Sequence, residues 1–250
     1  MPLGSDLLLG PSVIASVSAG LLLLPGGLIH LTLVPYAYWR LGFDARNALL
    51  LTLLSFIGSH IDVPLARFPD HYVATQHEIV LFGMHRLAQG LAELPGTIVA
   101  INIGGAIIPI AVSLYLIQKN NLWRTGLMTT ACVAAVSYWL AYPVAGAGIA
   151  LPLLIPVVVT AVMAVLISRD DATSLAYIGG SLGTLLGADI LNLESLQHST
   201  TPAASIGGAG TFDGVFLTGL IALLVVDIAL RRPTRPSHNH SWSNKATHGQ

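Results

Sequence analysis

The sequence has few charges and almost no cysteine. Of its 250 residues, 11 are basic and 12 are acidic, which makes 9% charged, whereas an ordinary soluble domain has about 25%. So few charges cannot cover the water-facing surface of a soluble enzyme of this length. The net charge of −1 offers no basic face for nucleic acid. Cys132 is the single cysteine, which excludes an internal disulfide and a thiolate metal cluster.

Hydrophobic residues are abundant instead, at 54% of the chain. They occur in runs of about 20 residues, the length that a helix needs to cross the hydrocarbon core of a bilayer. This pattern predicts an all-α, polytopic helical transmembrane bundle that forms one domain over residues 1–232. The expected spans are 12–39, 47–66, 98–117, 123–142, 146–167, 173–193 and 210–230. An extracytoplasmic loop is expected at 67–97 and a disordered cytoplasmic tail at 233–250, and residues 7–39 form either one helix or two.

The basic residues predict the orientation of these spans. Nine of the 11 lie between spans one and two, three and four, or five and six, or follow span seven. Only Arg67 and Arg86 lie in the connections on the other side. Because basic loops remain in the cytoplasm, the N-terminus is expected outside and the C-terminus inside.

Two of the aspartates within the predicted spans lie near the outer ends of consecutive helices. Asp189 is near the outer end of span six, and Asp213 is near the outer start of span seven. Since the two spans are consecutive and antiparallel, we expect both carboxylates at a similar depth. An ionisable residue inside a span costs several kcal/mol unless it is paired or hydrated, and it marks a functional site by default. The predicted catalytic residues are therefore Asp189 and Asp213. The supporting polar residues expected at the same depth are His60, Asp62, Asn102 and Asn192.

Small residues recur at every fourth position on spans six and seven, a spacing that lets helix backbones approach closely. The predicted close-packing glycines are Gly179, Gly183, Gly187, Gly210 and Gly214. One interpretation is that they bring Asp189 and Asp213 within reach of each other. The other is ordinary helix packing, with each aspartate separately hydrated or capped.

The sequence contains no recognised metal or cofactor motif. Residues 67–97 contain several histidines and glutamates, but their spacing matches no zinc motif, so solvated loop residues are expected. A Walker loop, a dinucleotide fingerprint, a Gly-x-Ser-x-Gly elbow and a His-Glu-x-x-His motif are all missing from the sequence. We expect no metal, no cofactor and no nucleic-acid partner.

Four segments resemble a prokaryotic membrane protein family of unknown function. They are GSHIDVP at 58–64, NIGGAIIP at 102–109, GTLLGADILNL at 183–193 and SIGGAGTFDGVFLTG at 205–219. The resemblance covers most of residues 40–230 and implies a multi-pass protein of the prokaryotic cytoplasmic (inner) membrane, without implying a reaction. Members of that family usually have Asn at the position of Asp62, which argues against an essential carboxylate there.

The segment Gly208-Ala-Gly-Thr-Phe-Asp213 is distantly similar to the Gly-x-Gly-Asp motif of intramembrane aspartyl proteases of the presenilin, signal-peptide-peptidase and prepilin-peptidase type. Here two residues separate the last glycine from the aspartate. Leu151-Pro-Leu-Leu resembles the Pro-Ala-Leu element of those proteases, but it precedes both aspartates. The resemblance implies two aspartates that act as general base and general acid on a peptide bond.

Three functions remain open from the sequence: an intramembrane aspartyl hydrolase, an ion- or proton-coupled small-solute transporter or channel, and a non-catalytic membrane scaffold. The expected partners are the lipid bilayer and a transmembrane peptide, a small solute or an ion. A chain of this size would have to form a homo-oligomer to resemble larger carriers. Carboxylates in contact beside water would favour hydrolysis, a through-going polar path would favour transport, and aspartates on unrelated helix faces would favour a scaffold.

Overall fold

The computed structural model describes residues 32–81, 84–94, 96–144, 148–196, 203–208 and 214–230. For residues 71–94, 148 and 196 it describes only the backbone. Most of the predicted first span, Gly210, Asp213 and the tail at 233–250 lie outside the described residues.

Most of the described residues are helical, as the sequence predicts. The α-helices are α1 over 32–40, α2 Ala45–Gly58, α3 Ile108–Lys119, α4 Trp123–Leu140, α5 Leu154–Ile167, α6 Ala172–Thr184 and α7 Gly214–Leu230. Two π-helices extend this set: Ile103–Ile107 leads into α3, and Leu185–Ile190 continues α6. A short 3₁₀-helix, Leu193–Leu196, follows the second π-helix.

The fold also contains strands, so the expectation of an all-α protein is wrong in this respect. They are β1 Asp62–Arg67, β2 His71–Leu81, β3 Met84–Leu94, β4 Ile98–Asn102, β5 Tyr142–Val144, β6 Gly148–Ala150 and β7 Ala203–Ile206. β4 is the centre of a three-stranded sheet, antiparallel to β1 and parallel to β7. β2 with β3 and β5 with β6 form two hairpins.

The strands replace parts of predicted helices and of the predicted loop. The apolar run at 47–66 is α2 followed by β1, and the run at 98–117 begins with β4. The loop expected at 67–97 contains the long β2–β3 hairpin. Hydrophobicity alone does not distinguish a short buried strand from a helix segment. Pro64 and the β-branched residues of β4 disfavour a helix in these two places.

Helix α6 lies among α3, α4, α5 and α7. It crosses α7 where glycines of both helices meet: a Cβ atom on Gly180 would lie 2.6 Å from the Cα of Gly219. The glycines of the four-residue pattern face a different neighbour, α4. Gly179 packs against Thr129, Gly183 against Val133 and Gly187 against Ala134. A Cβ atom on Gly214 would make ordinary van der Waals contact with Leu151, at 3.8 Å.

The exteriors of the helices are apolar and their interior contains hydroxyl groups. Leu127, Leu154 and Ile228 are 69%, 75% and 67% exposed. The completely buried hydroxyl residues include Thr52, Ser55, Thr129, Ser137, Thr160, Thr184 and Thr218. Among the described residues, one helical stretch, Ala172–Ser195, is long and apolar enough to cross a membrane. By itself that stretch gives only a hint of membrane association.

Candidate functional site

The polar residues of interest gather at one end of the three-stranded sheet. Asp62 at the start of β1 pairs in register with Asn102 at the end of β4, and β7 runs parallel to β4. The start of β1 therefore lies beside the ends of the other two strands. We call the group of Asp62, Asn102, Asp189, Ser205 and Gly207 the junction.

Asn102 is completely buried and links three elements of the junction. Its Nδ2 donates hydrogen bonds to the carbonyl oxygen of Ser59 at 2.9 Å and to Oδ1 of Asp62 at 3.1 Å. Its Oδ1 accepts from the backbone N–H of Gly105 at 2.7 Å and so caps the π-helix Ile103–Ile107. Asn102 thereby connects the end of α2, the start of β1 and the start of the helical stretch that becomes α3.

Asp62 links β1 to β7 as well as to β4. The hydroxyl of Ser205 donates to Oδ1 of Asp62 at 2.5 Å, on the same oxygen that accepts from Asn102. Asp62 is exposed, and among the described residues Oδ2 has no hydrogen-bond partner. The carboxylate is therefore accessible, and its hydrogen-bond donors at Oδ1 are uncharged.

Asp189 is half-buried and lies in the π-helix Leu185–Ile190. Its Oδ2 accepts the backbone N–H of Gly207 at 2.7 Å. Gly207 has φ of 81°, a backbone conformation that favours glycine. A Cβ atom on Gly105 would overlap the carbonyl oxygen of Gly207. Asp189 thus fixes the turn at Gly207 and Gly208 against the first turn of the π-helix Ile103–Ile107. We call these two segments the glycine turns after β7 and after β4.

The structure does not bring the other predicted residues to these carboxylates. Asn192 donates from Nδ2 to the carbonyl oxygen of Gly187 at 2.8 Å, within its own helical segment. His60 is exposed, and its Nδ1 lies 3.0 Å from the carbonyl oxygen of Phe56 at the end of α2. Asp213 lies outside the described residues and is followed directly by the first residue of α7.

Ser205 and Gly207 were not among the predicted site residues, although the sequence contains a signal for them. Ile-Gly-Gly-Ala occurs at 103–106 and again at 206–209. Each copy coincides with the end of a strand, and the two strands are parallel neighbours in the sheet. An internal repeat of this kind identifies two glycine turns that pack together.

The described residues offer a limited set of ligands. No group of three or more His, Cys, Asp and Glu among them could hold a metal ion. What the junction presents is two carboxylates, an amide, a hydroxyl and backbone groups.

A buried carboxylate lies at the opposite end of the helices. Asp227, near the end of α7, is 2% exposed and forms an ion pair with Arg40. The hydroxyl of Tyr36 donates to Oδ2 of Asp227 at 3.0 Å. These contacts link α1 to α7 far from the junction.

Comparison with known proteins assigns the chain to a family. A family model described as "Protein of unknown function (DUF1614)" matches residues 56–225, which include the whole junction. Neither the curated proteins nor the solved structures contain a significant match. Because the family model matches more than half of the sequence, the chain belongs to the DUF1614 family.

Proposed function

We propose that this member of the DUF1614 family is a multi-pass protein of the cytoplasmic membrane. The apolar exteriors of α2, α4, α5 and α7 support this proposal, since a soluble protein does not expose so many large apolar side chains. The buried hydroxyls and the glycine crossings are typical of helices that associate in a bilayer. The basic residues Lys119, Arg124 and Arg169 lie at helix ends remote from the junction, as the positive-inside rule requires of cytoplasmic ends.

This arrangement puts the junction near the outer boundary of the hydrocarbon core. The helical stretch Ile103–Lys119 runs from the junction to a basic end. At 1.5 Å per residue it is roughly 25 Å long, compared with about 30 Å for the hydrocarbon core. The strands of the sheet continue beyond the helices on the outer side.

We further propose that the protein is an ion-coupled small-solute transporter or channel and that Asp189 binds the ion. One observation supports this proposal above all: Asp189 lies in the π-helix of Ala172–Ser195, the stretch suited to cross a membrane. Its Oδ2 accepts the N–H of Gly207. A carboxylate inside a helix that crosses a membrane is by default a candidate site for a proton or a cation. Irregular helix segments commonly line ion sites in transporters.

Ion binding at Asp189 would act on the packing of the two glycine turns. The hydrogen bond from Gly207 to an ionised carboxylate is stronger than one to a neutral acid. Protonation of Asp189, or coordination of a cation by Oδ2, therefore weakens the attachment of the turn after β7. That turn packs directly on Gly105, whose N–H is bound by Asn102. A change of charge at Asp189 would therefore alter the packing at the ends of β4 and β7.

The test is ion movement in vesicles of phosphatidylethanolamine and phosphatidylglycerol that contain the purified protein. We expect proton or ²²Na⁺ flux under an imposed potential, and at least a tenfold loss of flux in Asp189→Asn. Asp170→Asn, an exposed position between α5 and α6, is the matched control and should leave the flux unchanged. Absence of both fluxes from the natural protein, or full flux in Asp189→Asn, would contradict the proposal.

A second candidate, intramembrane aspartyl hydrolysis by Asp189 and Asp213, is favoured by the register of α6 and α7. The two helices are antiparallel and cross at Gly180 and Gly219. In an antiparallel pair that crosses there, the end of α6 is level with the first turn of α7, which begins one residue after Asp213. Gly207, the hydrogen-bond partner of Asp189, precedes Asp213 by six residues.

In this reaction, one carboxylate removes a proton from water as the water oxygen attacks the peptide carbonyl. The other carboxyl group gives its proton to the departing amine nitrogen. The test compares membrane peptides by mass spectrometry between cells with the natural protein and cells with Asp189→Asn or Asp213→Asn. Hydrolysis predicts that the same peptides disappear in both variants, and an unchanged profile would exclude it. A scaffold would instead tolerate Asp189→Asn and lose stability in Asp189→Leu.

A further inference from the structure

The buried carboxylate at the inner end of α7 is held by two residues of α1. Asp227 is 2% exposed, and its Oδ1 forms an ion pair with Arg40. Its Oδ2 accepts a hydrogen bond from the hydroxyl of Tyr36 at 3.0 Å. The side chain of Arg40 is 36% exposed, so the ion pair covers Asp227 at the surface of the protein. We call Asp227, Arg40 and Tyr36 the inner clasp.

The other end of α7 packs against the segments around Asp189. Val215, in the first turn of α7, belongs to a buried apolar cluster with Leu185 and Ile206. Leu185 begins the π-helix that contains Asp189, and Ile206 directly precedes Gly207, whose N–H binds the Asp189 carboxylate. A shift of the glycine turn after β7 therefore changes the packing at the start of α7.

Between these two ends, α7 makes a close crossing with α6. A Cβ atom on Gly219 would lie 2.2 Å from Oγ of Ser181 and 3.1 Å from the carbonyl oxygen of Tyr177. Gly219 is four residues from Val215 and eight from Asp227, which is about 6 Å and about 12 Å along the helix. A tilt of α7 about this crossing would therefore displace the inner end about twice as far as the outer end.

We propose that the inner clasp is the inner gate of the ion path and that α7 connects it to Asp189. This inference rests on the proposed ion-coupled function. While Asp189 is ionised, its hydrogen bond to Gly207 holds the start of α7, and the clasp is closed. Ion binding weakens that hydrogen bond. Helix α7 then tilts about Gly219, and Asp227 separates from Arg40 and Tyr36, as in other domain and helix movements that open a path.

The described structure fits the closed form of this gate. Asp62 at the junction is exposed, whereas Asp227 at the opposite end is buried and paired. The junction is thus accessible from the outer side while the clasp covers the inner side. A bound ion shifts this equilibrium only if it binds more tightly when the clasp is open.

The test measures thiol labelling of Val226→Cys in a Cys132→Ala background. Val226 is completely buried beside Asp227 on α7, so its labelling reports opening of the clasp. A membrane-impermeant maleimide is applied to the inner face of inside-out membrane vesicles. We expect at least tenfold faster labelling when Asp227→Asn is added. Asp70→Asn is the matched control, because Asp70 forms an exposed ion pair elsewhere, with Arg67, and its labelling should stay slow.

A second variant tests the connection to Asp189. Asp189→Asn removes the charge that holds Gly207 and leaves the clasp residues unchanged, and we expect at least threefold faster labelling of Val226→Cys. A clasp with only a structural role would not respond to this distant change. Asp170→Asn, at an exposed position between α5 and α6, should label at the slow rate.

The folding of each variant is checked by its unfolding temperature in detergent. If Asp227→Asn does not fold because Arg40 is left without its charged partner, the double variant Arg40→Gln, Asp227→Asn removes both charges and should also label faster. Slow labelling in the folded clasp variants, or in Asp189→Asn, would overturn the gate. Loss of flux in Asp189→Asn with slow labelling would overturn the gate and leave the ion-coupled function standing. Faster labelling without any proton or sodium flux through the natural protein would contradict the ion-coupled function, and with it the role of the clasp as a gate for ions.

Discussion

Gly105→Ala is expected to abolish folding, whereas Gly126→Ala should leave the protein folded and slightly more stable. A Cβ atom on Gly105 would overlap the carbonyl oxygen of Gly207 and lie 3.1 Å from its carbonyl carbon. Both of these atoms are backbone, so no side chain can rotate away. The turn that contains them is fixed by the hydrogen bonds from Gly207 to Asp189 and from Gly208 to Ser205. We expect a loss of about 4 kcal/mol, above the roughly 1–3 kcal/mol typical of overpacked cores, because backbone atoms cannot move aside as a side chain can.

Gly126 provides the matched control for this substitution. It is a buried glycine of α4, and the nearest atom to an added Cβ is Cγ1 of Ile117 at 3.4 Å. Alanine there gains up to about 1 kcal/mol of helix propensity. The measurement is the thermal unfolding temperature in detergent, together with the monodisperse fraction in size-exclusion chromatography. An unfolding temperature for Gly105→Ala equal to that of the natural protein would contradict the close approach of the two glycine turns.

Asn102→Ala should destabilise the protein nearly as strongly, through hydrogen bonds instead of overlap. The substitution removes the acceptor of the Gly105 N–H and the donor to the carbonyl oxygen of Ser59. Each buried group left without a partner costs about 1–3 kcal/mol. The lost side-chain volume adds a cavity contribution. We therefore expect a total loss on the order of 3–5 kcal/mol, which is in the upper range for single substitutions.

Asn47→Ala is the control for Asn102→Ala. Asn47 is an exposed asparagine in the first turn of α2 that bonds to Asp44. A surface substitution of this kind is expected to change stability by less than about 0.5 kcal/mol. Denaturation of both variants in the same detergent measures the difference. Equal stability of the two variants would mean that Asn102 does not link α2, β1 and the π-helix as described.

The helices could be predicted from the sequence more readily than the sheet. The helix expected at 123–142 is α4 at Trp123–Leu140, because a run of apolar residues flanked by aromatic and basic residues determines such a helix locally. β1 and β4 could not be found in this way. Their pairing depends on hydrogen bonds between Asp62–Arg67 and Ile98–Asn102, and composition does not report which distant segment supplies the partner.

The sequence also predicted the residues of the candidate site only in part. The topology of consecutive spans predicted Asp62 and Asn102 at one end of the helices, and in the structure Asn102 donates a hydrogen bond to Asp62. Asn192 and His60 were expected there too, but they interact with carbonyl groups of their own helical segments. Short-range hydrogen bonds of this kind compete with any distant partner. The four-residue spacing that includes Gly183 defined a helix face, but it could not tell whether α4 or α7 would cover that face.

The order of the strands in the sequence determines when each strand can pair during synthesis. Asp62 and its partner Ser205 are 143 residues apart in the sequence, and β4 receives its parallel neighbour only after α3, α4, α5 and α6 have been made. At ribosomal rates of about 5–20 residues per second, Ser205 is synthesised roughly 7 to 30 s after Asp62. During that interval one edge of β4 has no strand beside it. Until β7 is synthesised, the nascent chain therefore has an open sheet edge along β4, which could pair with another extended segment.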